Sequence, residues 1–372
     1  MRILFLVQSE GRGHLTQALS LAQIIQEAGH EVIGAFVGIT PERAVPTFFR
    51  DAFNAPITPV FSPGLCYDSK TNALNPLRTA LRAAGNSRAL WRSLRQVRNA
   101  IDRQRPDVVV NFCELLGGLT YAVMPPSVPL VSIAHHYLAF HPNFQHPKGQ
   151  WLYRQGFRLV SRLTCLGARE ILALSFDRQD DIPSERLRVV PPLLRQEVTR
   201  MEPIEPKQTD DFLLAYLTQP GLTVELEKAH RQYPEWRIDT FHAGATAPDQ
   251  VVDETLTYHA IDGQRFLDFM RRCRAVVTTA GFEAVCEAAY LGKPVLMIPQ
   301  PNHFEQACNA LDGQRVGVGL AAKGFDLKQF MAYLPQHDPQ VSVRFRTWQQ
   351  EGKRLFLEAL TRAAAAGKRA KT

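Results

Sequence analysis

Two residues stand where acid–base or ligand-binding chemistry could be done: Glu287, inside a helix pattern that opens at a glycine turn, and His14, which follows another glycine turn near the amino terminus. The stretch 275–310, AVVTTAGFEAVCEAAYLGKPVLMIPQPNHFEQACNA, orders a buried strand, the turn at Gly281, a helix over 282–291, a second apolar strand, and a loop ending in Glu305, Gln306 and Asn309. The first amides of a helix lack internal partners and lie at the positive end of its dipole. The segment Thr279, Gly281, Phe282 therefore suits a diphosphate. Glycine at the turn adopts backbone angles closed to other residues and lets a ligand approach the main chain. A carboxylate about one and a half turns into the helix, Glu287, can accept hydrogen bonds from two neighbouring ribose hydroxyls, which a cationic side chain cannot. The structural alternative for Glu287 is a solvated helix residue, and for Asn309 a residue that shapes the loop.

The amino terminus reads as a strand over 2–7, the loop Gln8-Ser9-Glu10-Gly11-Arg12-Gly13-His14, and a helix to about residue 28 with Gly29 past its end. A dinucleotide fingerprint would need a third glycine at position 16 and an acid after the second strand. Thr16 and Gly38 stand there, which excludes a dehydrogenase-type site. An imidazole at such a sheet edge can take a proton from an attacking hydroxyl, so His14 is a candidate general base, with a helix-capping or phosphate-contacting role as the alternative. Glu114, after the strand 107–112, is the second candidate base. His135 and His136, after the strand 129–134, are candidate acceptor contacts. With His141 and His146 nearby they match no zinc spacing and have no cysteine or acidic partners in the sequence, so no metal site is expected.

The donor segment resembles that of inverting glycosyltransferases with two Rossmann-like halves, the GT-B fold, and is most similar to MurG-like enzymes. Gly13 and His14 match the end of the Gly-Gly-His loop of that family, while Arg12 breaks its double glycine. The resemblance implies an α/β chain of two doubly wound parallel-sheet domains facing a cleft: residues 1–195, completed by a carboxyl-terminal helix over 341–372 that crosses back, and residues 208–340. It further implies that 258–261 holds the nucleotide base, that Thr218 in the second-domain loop contacts phosphate, and that Gln306 and Asn309 face the donor sugar. Glu305 stands where the family carries a glutamine. An acid accepts but cannot donate, which points to a donor sugar other than N-acetylglucosamine. The implied activity is transfer from a nucleotide sugar, chiefly a UDP-sugar, without a required metal or other cofactor; the expected acceptor, a lipid-linked or cell-envelope hydroxyl, is supported by the basic first domain alone. A nucleotide-sugar 2-epimerase and a non-catalytic sugar-nucleotide binder are the rival readings.

Behind these residues the chain alternates strand and helix patterns, as a parallel sheet covered on both faces requires. At 372 residues and 45% hydrophobic content it can build two cores. The six cysteines are scattered, which suits packed, reduced thiols in the cytoplasm. Charge is uneven: residues 1–195 carry 22 Lys+Arg against 14 Asp+Glu (+8), residues 196–343 carry 13 against 20 (−7), and residues 344–372 carry 8 against 2 (+6). The segment 77–105 holds Arg78, Arg82, Arg88, Arg92, Arg95, Arg98, Arg103 and Arg105 against Asp102 alone, with Leu90, Leu94, Val97 and Ile101 on the other side. Such a face is either solvated or drawn to an anionic membrane surface or a phosphate-bearing acceptor, and is the only pointer to peripheral attachment at the inner face of the membrane. No nucleic-acid module is recognisable.

Overall fold

The computed structural model describes residues 1–40, 43–64, 76–205, 208–217, 220–242, 244–245 and 248–369. Thr218 and Cys66, singled out from the sequence, lie outside them. The chain divides into two compact units: Met1–Phe144 with Lys148–Arg195 and Trp348–Thr372, and Gln145–Pro147 with Gln196–Thr347.

The first unit runs β1 (Arg2–Gln8), α1 (Gly13–Glu27), β2 (Glu31–Ile39), α2 (Thr47–Ala52), β3 (Ile57–Phe61), α3 (Pro76–Gly85), α4 (Ser87–Gln104), β4 (Val108–Phe112), α5 (Leu115–Val123), β5 (Leu130–Ala134), a 3-10 turn (His135–Phe140), α6 (Trp151–Thr164), β6 (Glu170–Leu174) and β7 (Leu187–Val190). Its seven strands, all parallel, lie in the order β3-β2-β1-β4-β5-β6-β7. Ile3 to Val7 of β1 and every residue of β4 and β5 are buried. Helices cover both faces, so these strands are near-continuous apolar runs rich in Val, Ile and Leu instead of alternating ones, with Asn111 in β4 and Ser132 in β5 as buried polar exceptions. Winding reverses between β1 and β4, and the loops at the carboxyl ends of those strands flank the point where such sheets bind ligands.

The second unit runs α7 (Gln196–Thr199), β8 (Leu213–Leu217), α8 (Pro220–His230), β9 (Ile238–His242), β10 (Asp249–Val251), β11 (Leu256–His259), α9 (Gly263–Arg272), β12 (Ala275–Thr278), α10 (Phe282–Tyr290), β13 (Val295–Met297), α11 (Phe304–Arg315), β14 (Gly319–Ala321) and α12 (Leu327–Tyr333). Its sheet order is β10-β11-β9-β8-β12-β13-β14, parallel except for the antiparallel edge strand β10. Here winding reverses between β8 and β12, which puts the Gly281 turn at the switch point.

Three expectations need correction. The carboxyl-terminal stretch forms two helices, α13 (Gln340–Gln350) and α14 (Gly352–Arg369), and the chain changes unit inside α13, between Thr347 and Trp348. Trp348 Nε1 donates to the Ser175 carbonyl at 3.1 Å, and Arg362 forks onto Glu170 at 2.9–3.0 Å, so α14 is anchored to the first unit. Glu305, Gln306 and Asn309 are on the first two turns of α11 and not in a loop, because His303 caps that helix by accepting from the Gln306 amide. In α4 the arginines do not all reach water: Arg98 is half-buried, donating to the carbonyls of Met124 and Pro125 that end α5.

Candidate functional site

In the first unit the loop after β1 delivers His14 as the second residue of α1. No side chain caps that helix and no acid lies in its first turn. His14 is half-buried, with Nδ1 3.3 Å from Gln17 Oε1. With the proton on Nδ1 serving that contact, Nε2 would be the basic nitrogen.

The turn after β4 is built by Asn111, a buried residue that sequence reasoning passed over. Its Nδ2 donates to the carbonyls of Glu114 (3.0 Å) and Thr164 (2.6 Å), and its Oδ1 accepts from the Glu114 amide (3.1 Å). Gly117 leaves it room, since a Cβ there would lie 2.5 Å from the Asn111 amide. These bonds hold Cys113 at φ 55°, a left-handed conformation that costs about 1–2 kcal/mol in a residue with a Cβ. Its Sγ lies 3.1 Å from His136 Nδ1, and the His136 ring stands edge-on to His14 with centroids 5.4 Å apart. Burial pushes the Cys113 thiol up, but the imidazoles of His136 and His14 more than offset that and bring it down to about 6. The two imidazoles thus favour the thiolate form of this sulfur. This corrects the view that no cysteine partners the histidine doublet: residues 14, 113 and 136 are remote in sequence, and only the strand order β1-β4-β5 brings them together.

Glu114, the second candidate base, caps α5. Its Oε1 accepts from the Leu116 amide (3.0 Å) and from Ser62 Oγ (2.7 Å). Gly38 makes space for the carboxylate, because a Cβ there would sit 2.0 Å from Glu114 Oε2. Burial raises this carboxyl to about 7 against the lowering by Leu116 and Ser62, with the Cys113 charge raising it further and His14 lowering it. The folded protein thus holds the proton more tightly than the unfolded chain, whose ordinary value is 4.5. The resulting stabilisation is complete below about pH 4.5 and is lost as pH climbs through about 7, a swing on the order of 3 kcal/mol. In metal-free buffer, Glu114→Gln is expected to flatten the fall in unfolding free energy across that window. An unchanged slope would remove Glu114 as its source.

The remaining histidines separate. His135 is a core residue, with Nδ1 2.8 Å from the Leu174 carbonyl and its ring against Phe176. His141 is tied to the Asp180 carbonyl at 3.1 Å, and His146 to that of Pro147 at 3.3 Å. Of the candidate acceptor contacts, only His136 joins the cluster.

In the second unit β12 ends at Thr278, and the turn continues through Thr279, Ala280 and Gly281 into α10. The left-handed residue is Ala280 (φ 60°), whereas Gly281 has an ordinary φ of −64°. What Gly281 supplies is access: a Cβ there would meet nothing within 4 Å. Asn309 Nδ2 donates to the Ala280 carbonyl at 3.0 Å, which clamps the strained turn, and Asn309 is buried. Gln306 Oε1 accepts from the Gln300 amide at 2.9 Å. Both side chains thus shape the walls of the turn. No side chain caps α10. Phe282 and Thr279 are buried beside the turn. Glu287, the sixth residue of α10, is 4% exposed, which disposes of its reading as a solvated helix residue. Within the 258–261 segment, His259 is buried between Asp239 (2.8 Å) and Asp249, and Arg265 also pairs with Asp249; sequence reading missed this network.

A family profile described as Glycosyl transferase family 1 matches residues 1–335. Among solved structures, the glycotransferase of kitacinnamycin is similar over 100% of this chain and 98% of its own at 17% identity, TM-score 0.62. Phytolacca americana UGT2 complexed with UDP-2-fluoro-glucose and pterostilbene is similar over 98% and 99% at 13% identity, TM-score 0.64. MurG of Acinetobacter baumannii follows over 97% and 99% at 14% identity, TM-score 0.55. A comparison with curated proteins finds no match. The chain belongs to glycosyl transferase family 1 and is a glycosyltransferase with the GT-B fold.

Proposed function

We propose that this glycosyltransferase moves a sugar from a UDP-sugar to a hydroxyl of a lipid-linked or cell-envelope acceptor, with inversion at the anomeric carbon. The observation that carries the donor half is the Thr278–Gly281 turn, clamped by Asn309, leading into an uncapped helix with Glu287 buried inside it. Amides at the start of α10 donate to the diphosphate, and the helix dipole stabilises the charge that grows as the bond from the anomeric carbon to the diphosphate oxygen breaks. Glu287 accepts from the ribose hydroxyls. His14 Nε2 takes the proton of the acceptor hydroxyl as its oxygen bonds to the anomeric carbon. The UDP-2-fluoro-glucose bound by Phytolacca americana UGT2 supports the choice of donor.

A UDP-sugar panel tests this reading. The matching donor is expected to stabilise the folded protein by about 2.7 kcal/mol at a hundredfold excess over Kd, and to release UDP only when acceptor is supplied. Conversion of the UDP-sugar to an epimer without acceptor would contradict transfer.

The acceptor half rests on a surface of the first unit. Trp151 (65% exposed), Leu152 (75%) and Leu159 (61%) project from α6 beside Arg154 and Arg158. Helices α4, α5 and α6 pack in succession, and α4 presents its own exposed arginines and Trp91. Apolar side chains among cations suit an anionic lipid surface. No helix among the described residues is long and apolar enough to cross a membrane. The protein is expected to sediment with phosphatidylglycerol vesicles and not with phosphatidylcholine vesicles, and Leu152→Glu to lower the bound fraction about tenfold by removing one inserted side chain. Equal binding to both vesicle types would count against a lipid-linked acceptor.

A further inference from the structure

We propose that His14, Cys113 and His136 form a binding site for one soft divalent cation of the Zn2+ class. The three residues come from separate segments, the start of α1, the turn after β4 and the residues just after β5, and they meet at the switch point of the first sheet. One ligand atom from each lies within 4.8 Å of the others. A tetrahedral ion with metal–sulfur bonds of about 2.3 Å and metal–nitrogen bonds of about 2.05 Å needs its sulfur and nitrogen ligands about 3.6 Å apart. Cys113 Sγ and His136 Nδ1 are 3.1 Å apart, so a side-chain movement of about half an ångström admits the ion.

The ligand types select the metal. One thiolate and two imidazoles suit Zn2+ or Co2+, whereas Mg2+ and Ca2+ require oxygen ligands. The neighbouring carboxylate of Glu114 is committed elsewhere: its Oε1 serves Leu116 and Ser62, and its Oε2 faces Gly38. Among the described residues the cluster thus offers three protein ligands. The backbone supports the arrangement, since the Asn111 hydrogen bonds fix Cys113 in the left-handed conformation that aims its sulfur at the imidazoles. Binding does not depend on what the enzyme transfers. Its consequence rests on the reading of His14 as base: an ion that occupies a ring nitrogen of His14 competes for the lone pair that would accept the proton, so it switches transfer off.

Titration of Co2+ into the metal-free full-length protein tests the site, because sulfur ligation produces a near-ultraviolet charge-transfer band that nitrogen and oxygen ligands do not. The expected result is one equivalent bound, loss of that band in Cys113→Ser, and at least tenfold weaker binding in His136→Gln, each variant checked for an unaltered circular dichroism spectrum. Zn2+ should raise the thermal midpoint of the wild type and inhibit transfer until a chelator is added. Absence of stoichiometric binding to the wild type, or a charge-transfer band that survives in folded Cys113→Ser, would overturn the proposal. A normal Co2+ spectrum with transfer insensitive to Zn2+ would support the ion site and count instead against His14 as the base.

Discussion

His14→Ala is expected to lower kcat by about 10²–10⁴-fold while leaving the KM for the nucleotide sugar within a few-fold of wild type, since a positioned general base contributes on that scale. The split follows from where the groups lie. His14 stands at the start of α1 in the first unit, whereas the residues assigned to the diphosphate and ribose belong to the second. The imidazole is kept from rotating by Gln17 and by the edge of His136, so its basic nitrogen has a fixed direction. Steady-state kinetics at saturating donor would check the prediction. Wild-type turnover in the variant would transfer the role to Glu114, whose carboxyl, raised to about 7, is the other group suited to take a proton near neutrality.

Glu287→Ala is expected to weaken nucleotide-sugar binding by 1–3 kcal/mol, about 5- to 150-fold, with a much smaller effect on turnover at saturation. Two hydrogen bonds to a charged acceptor are lost, and both are made equally before and during the chemical step. Glu287→Gln keeps one accepting oxygen and should fall between the two. Isothermal titration with UDP measures the effect directly, and the thermal midpoint without ligand separates lost contacts from a disturbed core around this buried side chain. An unchanged affinity in folded Glu287→Ala would remove the residue from the donor site.

The strands that position these residues were legible because burial on both faces writes parallel strands as mostly apolar runs: ILFLV in β1, VVVNF in β4, AVVT in β12. Elements without that signature escaped notice. Strand β3 carries Pro59 near a sheet edge, β10 is exposed throughout, and β14 is three residues long. The start of α11 was hidden because its cap is a histidine, outside the usual Ser, Thr, Asp and Asn.

The donor turn could be read because its parts are contiguous, from strand to turn to helix carboxylate. Its strain was assigned to the wrong residue: composition points to Gly281, while the left-handed angle belongs to Ala280, where the Asn309 clamp makes it tolerable. The thiolate–imidazole cluster had no local signal at all. Cys113 reads as an ordinary apolar-strand cysteine until the strand order sets it beside two histidines, and Asn111, which aims it, reads as a polar residue in a strand.

The seat of the diphosphate is settled most directly by a crystal structure with UDP bound. Diphosphate oxygens accepting from the backbone amides that follow Ala280, with both ribose hydroxyls donating to Glu287, would bear out the account. A nucleotide bound with its diphosphate away from the start of α10, or with Glu287 beyond hydrogen-bonding distance of the ribose, would contradict it.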